Sequence, residues 1–253
     1  MLENYLKNRL KEQDILLMTH IVIGYPTFDE SLKIVEAMVQ AGVDLMELQI
    51  PFSEPIADGP VILRANQMAL EGGASVLKCL DFAETVAKRY PIPFLIMTYY
   101  NILFKFGVER FVSEMSRRGL KGAIVPDLPP EEGRDYLKAM KRHQLDPIFI
   151  FSPTSSNRRM NYISGFASGL VYCVARKGVT GADTTFSSQM DHYLKRCRSA
   201  TSLPLALGFG VKDKADVDFL KGRSDIAVIG TQTIRLVDEK GAGAVKDFIE
   251  ALR

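Results

Sequence analysis

The chain contains no tryptophan, although 9 Tyr and 14 Phe supply other aromatic rings. Cysteine is scarce: Cys79, Cys173 and Cys197 are odd in number, far apart and form no C-x-x-C pair. That spacing excludes a zinc knuckle and a dithiol redox motif, and the expectation is reduced, buried thiols in a cytoplasmic protein. An excess of one charge is also missing, since 32 basic and 30 acidic residues leave a net charge of +2. A nucleic-acid-binding surface needs a basic stripe, so that class is set aside. No run of about 18 uncharged apolar residues occurs, so no membrane-spanning helix is expected. The first fourteen positions, Met1 to Asp14, alternate charged and apolar residues like an amphipathic helix. They have no apolar h-region of the kind a signal peptide carries. His20, His143 and His192 show no ligand spacing, so no metal centre is expected. Ser53, Ser152 and Ser168 lack a G-x-S-x-G elbow, which leaves a serine hydrolase unsupported.

What is present is a repeat. Short apolar runs rich in Val, Ile, Leu and Phe occupy 16–24, 45–51, 93–99, 121–127, 146–153, 169–175, 204–210 and 226–231. Strands covered on both faces have this composition. Between them lie segments of helical periodicity at 31–41, 61–70, 109–118, 131–143, 157–166, 187–200, 213–220 and 243–252. Eight strand–helix units in 253 residues predict an α/β fold, a single-domain (β/α)8 TIM barrel over 1–253 with an extra N-terminal helix. A doubly wound open sheet would more naturally carry G-x-G-x-x-G after the first strand, and Gly24-Tyr25-Pro26 is no such motif. The intervals after the second and sixth runs exceed the others, which predicts long loops there. In barrels the loops at the carboxyl ends of strands build the active site.

Three features carry chemistry. In Leu45-Met46-Glu47-Leu48-Gln49-Ile50-Pro51, strand alternation puts Met46, Leu48 and Ile50 on one face and Glu47 and Gln49 on the other. The apolar face suits the helical layer, so Glu47 and Gln49 point into the barrel. A carboxylate there is costly unless paired or neutralised, which suits a proton donor or acceptor near the barrel mouth. Asp58 precedes Gly59-Pro60 and a helical segment, so it is read both as an N-cap and as a ligand contact. Finally, Gly178-Val179-Thr180-Gly181, Gly208-Phe209-Gly210 and Gly230-Thr231 lie at the ends of runs six, seven and eight. Backbone N–H groups at such turns complement a phosphate, and glycine lets the main chain approach it closely.

The stretch Glu47-Leu48-Gln49-Ile50-Pro51-Phe52-Ser53-Glu54-Pro55-Ile56-Ala57-Asp58-Gly59-Pro60 strongly resembles the signature of the tryptophan synthase alpha chain family. The resemblance continues through Gly24-Tyr25-Pro26, Tyr99-Tyr100-Asn101, Val125-Pro126-Asp127-Leu128-Pro129 and Glu131-Glu132, and on to the three glycine turns. It implies retro-aldol cleavage of indole-3-glycerol phosphate to indole and glyceraldehyde 3-phosphate, without metal or organic cofactor. It implies Glu47 as general acid/base, and Asp58 as the group that binds the indole N–H and stabilises positive charge on the ring. Tyr172 would stand beside Glu47. Gly181, Gly210, Gly230 and Thr231 would contact the phosphate, and Thr180 would help close the loop after strand six over Asp58. Ile62, Met97, Tyr99 and Ile124 would shape the apolar slot for indole. The implied partner is a tryptophan synthase beta chain in an α2β2 complex, met by the loop 51–60.

The sequence departs from the family pattern at several positions. Gln49 stands where the family usually has Gly, and its amide is placed to crowd the pocket or to bond the catalytic carboxylate. His20 stands at a usually apolar, substrate-facing position. Glu54 replaces Asp in the partner loop, and Thr231 replaces Ser while keeping the hydroxyl. Gln49 and His20 keep open the alternative of a noncatalytic activator of the beta chain. Another phosphate-binding barrel enzyme is the second alternative.

Overall fold

The computed structural model describes residues 2–175, 188–208 and 210–253. Its strands are β1 (Leu16–Val22), β2 (Leu45–Gln49), β3 (Phe94–Met97), β4 (Gly122–Ile124), β5 (Asp146–Phe151), β6 (Val171–Val174), β7 (Leu205–Gly208) and β8 (Ile226–Ile229). They form a closed barrel in the order β1-β2-β3-β4-β5-β6-β7-β8, and every neighbouring pair is parallel. The helices among the described residues are α1 (Leu2–Arg9), α2 (Phe28–Gln40), α3 (Pro60–Glu71), α4 (Val76–Arg89), α5 (Tyr100–Phe106) and α6 (Val108–Arg117). They continue with α7 (Arg134–Arg142), α8 (Asn157–Ser164), α9 (Ser188–Ala200), α10 (Lys214–Leu220), α11 (Thr231–Lys240) and α12 (Ala244–Glu250).

The barrel expected from the repeat is the barrel observed, and the alternation in β2 holds. Met46, Leu48 and Ile50 belong to the apolar layer between strands and helices, while Leu45 belongs to a separate cluster inside the barrel. The interior cluster also takes Leu16 and Met18 from β1, Leu95 and Met97 from β3, and Leu2 and Leu6 from α1. Helix α1 therefore closes one end of the barrel with its apolar stripe, as its amphipathic pattern requires. Asp44, 1% exposed, fastens this end: it accepts hydrogen bonds from the Leu17 amide at 2.9 Å, Arg9 at 2.9 Å and Arg253 at 2.8 Å. With the floor filled, the open space lies at the carboxyl ends of the strands.

Two lengths differ from expectation. The interval after β2 owes its length to a second helix, α4, which follows the helix expected at 61–70; the loop proper is 50–59. β4 stops at Ile124 rather than continuing to position 127. Asp127 instead accepts a hydrogen bond from the Tyr100 amide at 2.8 Å, satisfying a free N–H in the first turn of α5. Gly122 is required at the start of β4, since a Cβ there would lie 2.3 Å from the Asp146 carbonyl oxygen of the next strand. The expected long loop after β6, with Thr180 and Gly181, lies outside the described residues.

Candidate active site

A cavity of about 570 Å³ opens at the carboxyl ends of the strands. Its walls differ in chemistry from side to side. Ile62, Met97 and Ile124 line it from α3, β3 and β4. Across the barrel, Gly208, Gly210, Gly230 and Thr231 line it from the ends of β7 and β8, with Lys212 and Arg235 beside them. Strand order puts these groups opposite one another, because β3–β4 and β7–β8 are on opposite sides of an eight-strand ring. Gly230 is the N-cap of α11, so unpaired N–H groups of that first turn meet the cavity wall. The chain thus builds one apolar wall and one wall suited to an anion.

Between the walls stands Glu47, 4% exposed, with its side chain inward from β2. The β1–β2 register pairs it with His20, and His20 Nδ1 lies 2.9 Å from Glu47 Oε1. Tyr172 reaches the same carboxylate from β6. Burial, the charges of Glu47 and Asp58, and its hydrogen bond to Glu47 hold the phenol pKa well above its usual value. Tyr172 therefore remains a protonated donor. Gly208 is what lets it fit, because a Cβ at that position would lie 2.7 Å from the Tyr172 hydroxyl.

Asp58 lines the same cavity but does not cap α3. The N-cap is Gly59, which makes no side-chain cap bond, with Pro60 at the first helical position. The Asp58 carboxylate is instead held from behind: Gln49 Nε2 donates to Oδ2 at 2.7 Å and the Tyr99 hydroxyl donates to the same oxygen at 3.1 Å. Burial raises the Asp58 pKa, and the Gln49 bond, the His20 charge and the Tyr99 bond restrain that rise. Tyr99 also accepts a hydrogen bond from the Ala57 amide at 3.1 Å and stacks on Phe52 with ring centroids 5.2 Å apart. Both contacts pin the loop that carries Asp58.

Of the residues singled out from sequence, the structure gathers Glu47, Asp58, Ile62, Met97, Ile124, Tyr172, Gly210, Gly230 and Thr231 around one cavity. Tyr99 is different: it is 1% exposed and stands behind Asp58 rather than in the lining of the slot. Its hydroxyl needs partners when buried, and Asp58 and Ala57 provide them. Gln49 bonds Asp58, not Glu47, because its amide extends toward the loop end of β2. Lys212 and Arg235 were not foreseen. Arg235 follows Thr231 by one helical turn, so the i, i+4 spacing was a usable sign that both face the cavity.

A closed parallel barrel with paired carboxylates and an anion-binding rim at the carboxyl ends of its strands is the architecture of a (β/α)8-barrel enzyme. The tryptophan synthase alpha chain family model matches residues 6–252. The chain belongs to that family. It is 62% identical over 253 residues to the tryptophan synthase alpha chain of Syntrophotalea carbinolica, covering 100% of both chains. It is 62% identical over 252 residues to that of Desulforapulum autotrophicum, again covering 100% of each. Among solved structures, a chain of tryptophan synthase from M. tuberculosis in its aminoacrylate-bound form superimposes with a TM-score of 0.89. The identity is 27%, and the match covers 99% of this chain and 97% of that one.

Proposed function

We propose that this chain, one barrel domain over 1–253, is the lyase that cleaves indole-3-glycerol phosphate to indole and glyceraldehyde 3-phosphate and supplies indole to a tryptophan synthase beta chain. The observation that carries this reading is the placement of Glu47 and Asp58 on one cavity, between an apolar wall and a glycine-lined rim. The indole ring belongs against Ile62, Met97 and Ile124. The phosphate belongs at Gly210, Gly230 and Thr231, where main-chain N–H groups and the α11 N-terminus favour an anion. By the family motif Gly181 would add to the phosphate contacts and Thr180 would help close the loop after strand six over Asp58.

Chemistry then follows from the two carboxylates. Protonation of indole C3 by Glu47 draws the nitrogen electrons into a C2=N bond and leaves a cationic ring. Asp58, kept oriented by Gln49 and Tyr99, accepts the ring N–H and stabilises that charge. Glu47 then removes the proton of the glycerol hydroxyl. The O–H electrons form the aldehyde C=O, and the C3–C bond pair returns to the ring, releasing indole. One proton moves from oxygen to carbon, so a single acid–base residue serves both ends of the reaction. These steps call for no metal and no organic cofactor.

The beta chain, in an α2β2 complex, is expected at the loop 51–60, where Ile56 is an apolar residue 80% exposed. No helix among the described residues is long and apolar enough to cross a membrane. A cytoplasmic location belongs to the same proposal and is supported by the free, buried state of Cys79, Cys173 and Cys197. The test is glyceraldehyde 3-phosphate and indole release from indole-3-glycerol phosphate, with and without the beta chain. Glu47→Gln is expected to fold and to lose turnover by roughly 10²-fold or more. No release by the unaltered chain under either condition would defeat the enzyme reading. Enhanced beta-chain activity alone would favour the noncatalytic activator.

A further inference from the structure

We propose that His20 is a positioning residue of this reaction: joined to Glu47 across β1 and β2, it makes the two side chains a unit that stores one shared proton. The inference rests on the reading of Glu47 as the acid–base group, and extends it to a residue that touches Glu47 rather than the reacting atoms.

The geometry is specific. His20 and Glu47 are register partners on adjacent parallel strands, so both side chains point to the same side of the sheet. They are 3% and 4% exposed, and Nδ1 and Oε1 are 2.9 Å apart. Gly230 packs beside His20, where a Cβ would sit 3.4 Å from the His20 Cβ in ordinary contact. Nε2 is buried without a hydrogen-bond partner among the described residues, and so is Gln49 Oε1. The Nδ1–Oε1 contact with Glu47 is therefore the short hydrogen bond of the His20 ring.

The surroundings favour charge on the ring. Burial alone lowers the His20 pKa, but the Glu47 hydrogen bond, the charges of Glu47 and Asp58, and the Gln49 amide outweigh it and raise the net value. Around the same cavity the other titratable and charged groups among the described residues are Tyr172 from β6, Lys212 after β7 and Arg235 on α11. On the far side of the ring, toward α2 and α11, the titratable neighbour is Tyr25, whose pKa is pushed up to about 12. Neither tyrosine exchanges a proton in the neutral range.

A pair of this kind titrates as one system. Imidazolium with carboxylate and imidazole with carboxylic acid contain the same number of protons. As the shared proton passes through Glu47 to indole C3, His20 is left neutral with its remaining proton on Nε2, and Nδ1 faces the carboxylate as an acceptor ready to take part in holding the next proton. When Glu47 takes the hydroxyl proton, the pair regains what it began with. The stored proton is lost as pH rises through the pKa of the pair, so the pair sets the alkaline limb of the activity.

The experiment has two arms. The first is a 15N-histidine NMR titration of the whole chain, in which only His20, His143 and His192 contribute. His20 is expected to stay doubly protonated above its ordinary pKa of 6.5 and to become neutral at that pH in Glu47→Gln, where burial outweighs the Asp58 charge and the Gln49 bond that remain. The second arm is the pH profile of glyceraldehyde 3-phosphate release with the beta chain present. His20→Asn keeps an amide donor near Nδ1 but has no proton to share, so the proton must reside on the Glu47 carboxyl alone. The alkaline limb is expected to move to lower pH and turnover near pH 8 to fall about tenfold or more, with little change in KM. His20 titrating at or below 6.5 in the unaltered chain, or an unchanged limb in folded His20→Asn, overturns the proposal. If His20→Asn does not fold, the titration decides alone. Wild-type turnover in Glu47→Gln would instead refute the role of Glu47, while the NMR arm still reports on the shared proton.

Discussion

Asp58 has two donors on one oxygen, Gln49 at 2.7 Å and Tyr99 at 3.1 Å, and removing the shorter bond separates chemistry from packing. In Gln49→Leu, a fully buried amide becomes a buried side chain of similar reach. The lost bond to a charged acceptor costs about 1.5–3 kcal/mol. The same substitution removes Gln49 Oε1, a buried acceptor without a partner among the described residues, and leaving such an atom unpaired costs about 1–3 kcal/mol. The two effects oppose, so urea unfolding is expected to show a net change within about 1 kcal/mol. Activity has no such compensation. Loss of the donor leaves Asp58 less firmly oriented and less stabilised as a charge. The expected fall in kcat/KM for indole-3-glycerol phosphate is about tenfold, with roughly hundredfold as the ceiling set by the hydrogen bond. The pH effect has a definite sign. Burial already raises the Asp58 pKa, and Gln49 is one of the groups restraining it. Without Gln49 the pKa rises further, so the acid limb of kcat/KM moves to higher pH. A variant with full activity and an unmoved acid limb would refute the role assigned to Gln49. A loss of stability well beyond 3 kcal/mol would refute the cancellation.

The other predictions concern fit and fastening. Gly208→Ala places a Cβ within 2.7 Å of the Tyr172 hydroxyl and must shift that ring. Overpacking of this kind costs about 1–3 kcal/mol, and turnover is expected to fall with it; an unchanged melting temperature and rate would show that Tyr172 has room to move. Asp44→Ala leaves the Leu17 amide unpaired and takes the buried carboxylate from two arginines at the barrel floor, Arg9, which keeps Glu12, and Arg253, which keeps Gln13 and the Gly42 carbonyl. Breaking a buried pair typically costs about 3–5 kcal/mol, and the partly exposed arginines point to the lower end. Denaturant unfolding measures this loss, while KM for indole-3-glycerol phosphate, set at the opposite end of the barrel, is expected to hold. Glu47→Gln is expected to remove turnover, whereas His20→Asn is expected to move the alkaline limb of the pH profile, which divides acid–base chemistry from proton storage.

Local pattern was enough to determine the barrel and the inward face of β2. Strand alternation has a period of two residues and needs no knowledge of distant neighbours, so Glu47 was placed inside from five consecutive residues. The glycine turns at Gly210 and Gly230 were legible for a similar reason: each is a short backbone signal next to a strand end. Tertiary structure alone decided who meets whom. The His20–Glu47 pair joins residues 27 apart and depends on the register of β1 against β2. The Tyr99–Asp58 bond joins residues 41 apart, and it moved Tyr99 from the expected slot lining to the support of a carboxylate. Helix α4 occupies the part of the long interval after β2 that local pattern left unassigned beyond the loop 51–60 and the helical segment 61–70. Side-chain partners across strands depend on register and on how loops return to the barrel, and neither is carried by a local period. The sequence determined that a carboxylate would face inward; the fold determined that a histidine would share its proton and that an amide would hold its neighbour in place.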